Sequence, residues 1–177
     1  MNLLDIVLET DRLRLVPIEI KHRREIFEAF TETVARYTWP QPTGDITHTD
    51  TFINEARDLM AAGRELQLVV RDMKTDEFLG CAGLHHIDTH YPEPGLWLKE
   101  GAWGHGYGTE IIAALKMYAD KHLEYEYMQY PVASANKASR AIPEKLGGVL
   151  VPKPRIVFNM NGAPIMEVMY IIYPQEE

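Results

Sequence analysis

The apolar and polar positions along the chain switch several times between the period of a helix and the period of a strand. Apolar residues recur at helical spacing in four segments: 21–30, 50–62, 107–122 and 136–146. Short apolar or alternating runs typical of strands lie at 13–17, 66–70, 78–87, 95–98 and 128–133. Near the end, 156–158 and 165–173 flank Asn161-Gly162, a strong signal for a hairpin turn. Because neighbouring strands are interrupted by helices at irregular places, the pattern predicts an α+β fold rather than a regular βαβ repeat.

Composition narrows the class of protein. The chain has 177 residues, 46% of them hydrophobic and 25% charged, which predicts one globular domain spanning 1–177. No apolar run is long enough for a membrane helix, and the first residues are too acidic for a signal peptide. The formal net charge of −8 argues against non-specific nucleic-acid binding. We therefore expect a cytoplasmic protein with no nucleic-acid or membrane partner.

Three alternating glycines precede the long predicted helix, in the segment Trp103-Gly104-His105-Gly106-Tyr107-Gly108-Thr109. Glycine tolerates positive φ and has no β-carbon, so several backbone N–H groups can converge where the helix begins. The helix dipole also favours an anion there, which predicts a phosphate cradle. A P-loop does not fit, since no Lys-Ser or Lys-Thr follows, and the glycine spacing differs from a dinucleotide fingerprint. The alternative is a flexible glycine turn that holds no ligand.

Five motifs carry a resemblance to a known family, and they follow one another in the family's order. They lie at Glu9–Pro17, Gly80–His85, Gly95–Leu98, Trp103–Glu110, and Asn136–Ser139 with Glu144–Gly147. In turn they are similar to E-T-x-R-L-x-L-x-P, G-x-x-G-L, G-Y-W-L, W-G-x-G-Y-G/A-T-E and N-x-x-S…E-K-x-G-F. By these motifs the chain resembles the GNAT superfamily of acetyl-CoA-dependent N-acetyltransferases, in the branch of the ribosomal-protein-alanine N-terminal acetyltransferases.

The resemblance implies a three-layer fold, with helices on both faces of a twisted, mostly antiparallel sheet in which two parallel strands splay apart. Acetyl-CoA would lie in that gap, with its pantetheine arm on the backbone of 96–99 and its pyrophosphate on 105–109. Asn136 would hold the arm from the opposite side. The residues implied in cofactor binding are Trp97, Leu98, Trp103, Gly104, His105, Gly106, Tyr107, Gly108, Thr109, Asn136 and Ser139. The sequence departs from the family at His105, where Lys, Gln or Arg is common, and at Gly148, where Phe is usual.

Acetyl transfer to an amine needs a group that takes the amine's proton and a proton for the leaving thiolate. Many related enzymes carry a glutamate where Glu93 stands, so Glu93 is the expected base; the alternative is a solvated loop residue. His85 and His86 are the alternative bases, and in a strand only one of them can face the cleft. Where many relatives place a tyrosine acid this chain has Pro143, so Ser139 is the expected acid, with water as the alternative donor.

A metal site has little support in the sequence. The single cysteine, Cys81, excludes a zinc site built from several thiolates, and we interpret it as a small core residue. His86, Asp88 and His90 alternate and could project together, but no obvious fourth ligand accompanies them. We expect no metal, and a metal-binding regulatory domain is the alternative.

The acceptor is the least determined part of the prediction. Tyr37 and Trp39, beside two prolines, are candidates for one wall of its site, although a tryptophan is also typical of a core. We expect a primary amine, either a protein N-terminus or a small molecule such as an amino sugar or a polyamine. The alternative from another class is a non-catalytic module that binds or senses acyl-CoA. The sequence leaves open whether the chain is a monomer or a homodimer.

Overall fold

The computed structural model describes residues 2–38, 40–158 and 163–175. The helices are α1 (Arg23–Ala29), α2 (Ile46–Ala61), α3 (Tyr107–His122) and α4 (Lys137–Lys145), with 3₁₀ turns at Ile20–His22, Val34–Tyr37 and Glu100–Ala102. The strands are β1 (Leu8–Glu9), β2 (Leu13–Pro17), β3 (Leu66–Asp72), β4 (Phe78–His85), β5 (Glu93–Leu98), β6 (Met128–Ala133), β7 (Val149–Leu150), β8 (Arg155–Phe158) and β9 (Pro164–Ile172). The predicted α+β class is confirmed, and the helix at 107–122 and the strand at 128–133 have the predicted bounds.

Strands β1 to β5 form one antiparallel sheet in chain order. The first two helices contact each other and the strands β4 and β3, whereas α3 contacts β4 and β5. Phe30, at the end of α1, packs on Trp97 with ring centroids 5.0 Å apart, while the first turn of α3 lies against Leu96. Neighbouring residues of a strand point to opposite faces. Helices α1 and α3 therefore cover opposite faces, which is the three-layer arrangement that the resemblance implies.

A second, smaller sheet is built on β9, which pairs antiparallel with β6, β7 and β8. Strands β8 and β9 pair as the predicted hairpin, with Phe158 opposite Pro164, and the predicted turn Asn161-Gly162 lies outside the described residues. The two-residue strands β1 and β7 are not predicted by the sequence pattern. Within the described ranges, no helix is long and apolar enough to cross a membrane.

Strands β5 and β6 are the parallel neighbours that join the two sheets. Just before β5, the N–H of Glu126 donates to the carbonyl of His90, and the N–H of Gln129 donates to the carbonyl of Pro92, both at 2.9 Å. From the first bond to the second, the residue number increases on both segments, so the two strands run parallel. No hydrogen bond joins the described residues of β5 to those of β6 beyond this point.

Two prolines explain why the parallel ladder stops. After the bond between Gln129 and Pro92, a parallel ladder would continue with the N–H groups of residues 94 and 131. These residues are Pro94 and Pro131, and proline has no N–H to donate. The two strands therefore splay apart from Pro94 onward and leave an edge of β5 open toward β6.

Candidate functional site

The glycine loop ends at the start of α3, where it presents unpaired backbone donors. Gly104 and Gly106 have φ of 78° and 79°, the left-handed region that favours glycine, and Gly106 is the N-cap residue of α3. The N–H groups of Tyr107, Gly108 and Thr109 make no hydrogen bond with any residue that the structure describes. These donors and the positive end of the helix dipole point to one place, which can hold an anion.

An arginine from the N-terminal part of the chain holds this loop in position. The guanidinium of Arg12 donates to the carbonyl of His105 at 2.9 Å and contacts the carboxylate of Glu110 at 2.6 Å. The hydroxyl of Thr10 donates to the same carboxylate at 2.5 Å. Partial burial acts to raise the pKa of Glu110, but these hydrogen bonds hold the pKa below its ordinary value. The sequence places Arg12 and Glu110 in separate motifs and gives no sign of their contact.

Aromatic side chains complete the loop. The indole N–H of Trp103 donates to the carbonyl of Leu98 at 2.8 Å, which ties the loop to the end of β5. The ring of His105 stacks on that of Tyr107 with centroids 5.5 Å apart, and the guanidinium of Arg12 lies 4.7 Å from the centroid of the Tyr107 ring. Gly108 lies so close to α4 that a β-carbon there would be 2.9 Å from Cδ1 of Ile142. The loop is therefore fixed on several sides.

The open edge of β5 carries the backbone of Leu96 and Leu98. The N–H of Lys99 donates to Leu79 on the β4 side, so the residues one position away face the other edge. The carbonyl of Leu98 is accordingly free to accept from Trp103 rather than from β4. The side chain of Trp97 packs against Phe30 and Phe78 in the layer of α1, and its backbone polar groups face β4 like those of Lys99, so Trp97 does not contribute to the open edge.

Helix α4 supplies the other predicted contacts. The Oδ1 atom of Asn136 accepts from the N–H of Ser139 at 3.2 Å and so caps the helix. The Ser139 hydroxyl lies 2.9 Å from the hydroxyl of Tyr130, a residue of β6 that the sequence analysis did not single out. Burial raises the pKa of Tyr130. At Gly148 a β-carbon would be 2.8 Å from the carbonyl oxygen of Pro143, which explains why Phe does not fit there.

The candidate bases, unlike Ser139, lie on the other face of the sheet, the one that α1 covers. His85 and Glu93 are directly opposite each other on β4 and β5. Glu93 is half-buried, its carboxylate makes no hydrogen bond with the described residues, and burial raises the pKa of this carboxyl. Glu93 is the first residue of β5 and not part of a solvated loop. The alternative interpretation of Glu93 as a solvated loop residue is therefore wrong.

A glutamate that the sequence analysis missed holds His85. Nδ1 of His85 lies 3.0 Å from Oε2 of Glu65, and this hydrogen bond lowers the pKa of the Glu65 carboxyl. A carboxylate can only accept here, so Nδ1 of His85 is the donor and Nε2 points away from Glu65. Strand β4 ends at His85, and His86 is exposed with φ of 55°. The prediction that β4 extends to residue 87 is therefore wrong, and His85 alone faces Glu93.

The remaining predicted residues are not gathered at this site. The carboxylate of Asp88 accepts from Arg64 at 3.2 Å instead of joining His86 and His90. Across the described part of the chain, no group of three or more His, Cys, Asp or Glu side chains could hold a metal ion. Tyr37 ends a 3₁₀ turn that contacts β5, and Trp39 lies outside the described residues. Cys81 is fully buried, as expected for a core residue.

Comparison with known proteins places this geometry in a family. Residues 12–149 match the family described as the acetyltransferase (GNAT) domain. The uncharacterized protein YkkB of Bacillus subtilis (strain 168) is 28% identical over 144 residues, which cover 79% of this chain and 83% of YkkB.

Solved structures show the same fold. RimL, a ribosomal L7/L12 alpha-N-protein acetyltransferase in complex with coenzyme A, superposes with a TM-score of 0.85 at 17% identity, covering 95% of this chain and 98% of that chain. MccE, a microcin C7 self-immunity acetyltransferase in complex with acetyl-CoA and AMP, gives a TM-score of 0.83 at 18% identity, covering 93% of each chain.

Proposed function

Since the chain belongs to the GNAT acetyltransferase family, we propose that this N-acetyltransferase carries the acetyl group of acetyl-CoA to a primary amine by direct attack on the thioester. The acceptor is a protein N-terminus or the amine of a small molecule. The reaction takes place in the cytoplasm and uses no metal. RimL and MccE are described as acting in protein acetylation and in microcin immunity, which supports both kinds of acceptor.

The observation that carries the proposal is the set of unpaired N–H groups at the start of α3, beside the open edge of β5. A pyrophosphate is an anion that needs several donors, and Tyr107, Gly108 and Thr109 supply N–H groups that are unpaired among the described residues. The backbone of Leu96 and Leu98 can pair with the amide groups of a pantetheine arm, because no strand occupies that edge. The residues present therefore fit acetyl-CoA.

The chain's own side chains account for the proton transfers. Acetyl-CoA supplies an activated thioester, and attack forms the N–C bond as the C–S bond breaks. Glu93 takes the proton of the attacking amine, because its carboxylate has no hydrogen-bond partner among the described residues and burial makes it a stronger base than an exposed glutamate. The leaving thiolate takes a proton, for which Ser139, hydrogen-bonded to Tyr130, is the proposed donor.

His85 is the second candidate for the base. Glu65 fixes the proton on Nδ1, so Nε2 can accept a proton on the same face of the sheet as Glu93. An imidazole held by a carboxylate is a recurrent arrangement for proton transfer in enzymes.

A panel of amines tests the proposal. Purified protein and acetyl-CoA are mixed with peptides bearing small N-terminal residues, with an amino sugar and with a polyamine, and free CoA and the product mass are measured. We expect CoA release that depends on an amine and a product heavier by one acetyl group. If acetyl-CoA raises the melting temperature but no amine releases CoA, the non-catalytic binding module is the better description.

A further inference from the structure

One hydrogen bond fixes the direction of a peptide group in the glycine loop. Nη1 of Arg12 donates to the carbonyl of His105 at 2.9 Å. In a planar trans peptide the N–H of the next residue points the opposite way, so this bond also sets the direction of the N–H of Gly106. That N–H makes no hydrogen bond with any residue that the structure describes. The peptide between His105 and Gly106 therefore presents its carbonyl to Arg12 and a free donor to the other side.

The free donor is directed toward the open edge of β5. A β-carbon built on Gly108 would lie 3.9 Å from Cδ2 of Leu96, so this side of α3 faces β5. Successive residues of a helix are about 100° apart, which places Glu110 on nearly the opposite side of α3. Glu110 holds the guanidinium of Arg12 on that opposite side through a contact of 2.6 Å. The carbonyl of His105 is therefore turned away from the strand edge, and the free N–H is turned toward it.

The turn by itself does not select this direction. Gly106 has φ of 79° and ψ of 5°, the values of the third residue of a type II turn. Rotating the preceding peptide by about 180° gives a type I turn, in which the third residue has negative φ. Glycine adopts positive and negative φ about equally readily, so residues 104–107 can form either turn. In the type I form the carbonyl oxygen of His105 would face the cradle and repel a phosphate.

The arginine is itself held in one orientation. The carboxylate of Glu110 accepts from the hydroxyl of Thr10 and from both the backbone N–H and Nε of Arg12. The ring of Tyr107 lies against the guanidinium, 4.7 Å from its centroid. Because the guanidinium is planar, these contacts also fix the direction of its remaining donors. Among the described residues, the backbone of His105 has no hydrogen bond other than the one from Arg12.

Resting on the proposed function, we propose that Arg12 is a positioning residue that selects the type II turn and so keeps the cradle open to the pyrophosphate of acetyl-CoA. It acts through the peptide after His105. Its charge is offset by the Glu110 carboxylate in direct contact, so its role differs from that of a free cation that attracts phosphates. Freeing the two backbone dihedrals that this bond fixes increases the number of accessible conformers by about 5- to 30-fold. The apparent affinity falls with the fraction of molecules that keep the competent turn.

Two acyl donors separate this role from a general loss of structure. Acetyl-CoA and S-acetylpantetheine carry the same thioester, but only acetyl-CoA has the pyrophosphate. With an amine that supports turnover, Arg12→Met should lower kcat/KM for acetyl-CoA about tenfold, and leave kcat and the kcat/KM for acetylpantetheine unchanged. Arg14→Met is the matched control, because Arg14 is 51% exposed against 48% for Arg12 and pairs with Glu9. It removes the same charge and should behave as wild type. An equal fall with both donors, no fall with acetyl-CoA, or the same fall in Arg14→Met overturns the proposal.

Binding measured without turnover makes the test independent of the acceptor. In calorimetric titrations with CoA, we expect Kd to be about tenfold higher in Arg12→Met than in wild type and Arg14→Met, and an unchanged Kd overturns the proposal. A higher Kd for CoA in Arg12→Met, without CoA release from acetyl-CoA by any amine in wild type, would contradict the proposed function and leave the role of Arg12 supported. A crystal structure of Arg12→Met gives the direction of the peptide itself. A carbonyl of His105 that still points toward position 12 in every copy also overturns the proposal.

Discussion

The glycine at the N-cap of α3 allows a test of the phosphate cradle that separates folding from binding. In Gly106→Val the valine has to keep a backbone φ near 79°. This left-handed conformation costs an ordinary L residue roughly 1–2 kcal/mol of folding free energy. A β-carbon at Gly106 would contact only Nη2 of Arg12, at the ordinary distance of 3.7 Å, so the β-carbon itself forces no protein atom to move. A domain with about 5–15 kcal/mol of stability tolerates that cost. The branched side chain nevertheless fills the space onto which the free N–H groups open.

Gly44 provides a matched control elsewhere in the chain. It has φ of 75°, and a β-carbon there would meet nothing within 4 Å. Gly44→Val therefore has the same backbone cost as Gly106→Val, but it lies before α2 and away from the loop. Without ligand, we expect both variants to melt at similar temperatures below that of wild type.

The assay is thermal unfolding with and without acetyl-CoA. Ligand at a hundredfold excess over Kd adds about 2.7 kcal/mol, which for a chain of this size is a shift of about 5 to 11 °C. Wild type and Gly44→Val should show this shift, and Gly106→Val should show almost none. A full shift in Gly106→Val would mean that the loop is not the cradle. Loss of the shift in both variants would mean that backbone strain, and not filling of the cradle, decides binding.

Four further substitutions test the acid–base groups and the support of the loop. Glu93→Gln should lower kcat by at least about a hundredfold at neutral pH. The loss of kcat should be smaller at high pH, where more of the amine is already neutral. An unchanged kcat would exclude Glu93 as the base. Burial raises the pKa of Glu93, so the wild-type protein loses stability as pH rises through that pKa and the carboxyl ionises. Glu93→Gln has no such loss. Its melting temperature should therefore exceed that of wild type at pH 7 but not below about pH 4, where the carboxyl is protonated in both the folded and the unfolded state. Glu110→Gln removes the partner of half-exposed Arg12 and should lower stability by less than about 1 kcal/mol. Since the pKa of Glu110 is lowered, the difference from wild type should be full at neutral pH and shrink as pH falls through that lowered pKa, and a difference that does not change with pH would contradict the assignment. If Ser139 donates the proton directly, Ser139→Ala should lower kcat more than Tyr130→Phe does, with KM for acetyl-CoA little changed in both variants, and the reverse order would assign the proton to the tyrosine.

The elements that the sequence predicts well are those whose signal is local. The helix at 107–122 follows a glycine loop and keeps an apolar stripe over four turns, so both its start and its period are visible in the sequence. The strands Leu8–Glu9 and Val149–Leu150 have two residues each, which is too short for any period to show. These two strands form only because each pairs with the edge of a longer strand, and that pairing depends on the tertiary fold.

The same distinction explains which site residues could be predicted. The donors of the glycine loop lie within one segment, so spacing alone suggests a cradle. Arg12 and Glu110 are 98 residues apart, and Glu65 is 20 residues from His85, so these contacts follow from strand order and register.

The tripeptide Glu93-Pro94-Gly95 connects the two halves of the candidate site. Pro94 removes a donor from the edge of β5, so β6 departs and leaves the edge open for the acyl donor. Its neighbours Glu93 and Gly95 point to the face that α1 covers, where the Glu93 carboxylate has no partner among the described residues and the ring of His85 lies over Gly95. In the proposed reaction the acyl donor lies along the open edge, so the thioester and the two candidate bases belong to one short segment of β5 and its neighbour β4. Direct transfer between two bound substrates requires such proximity.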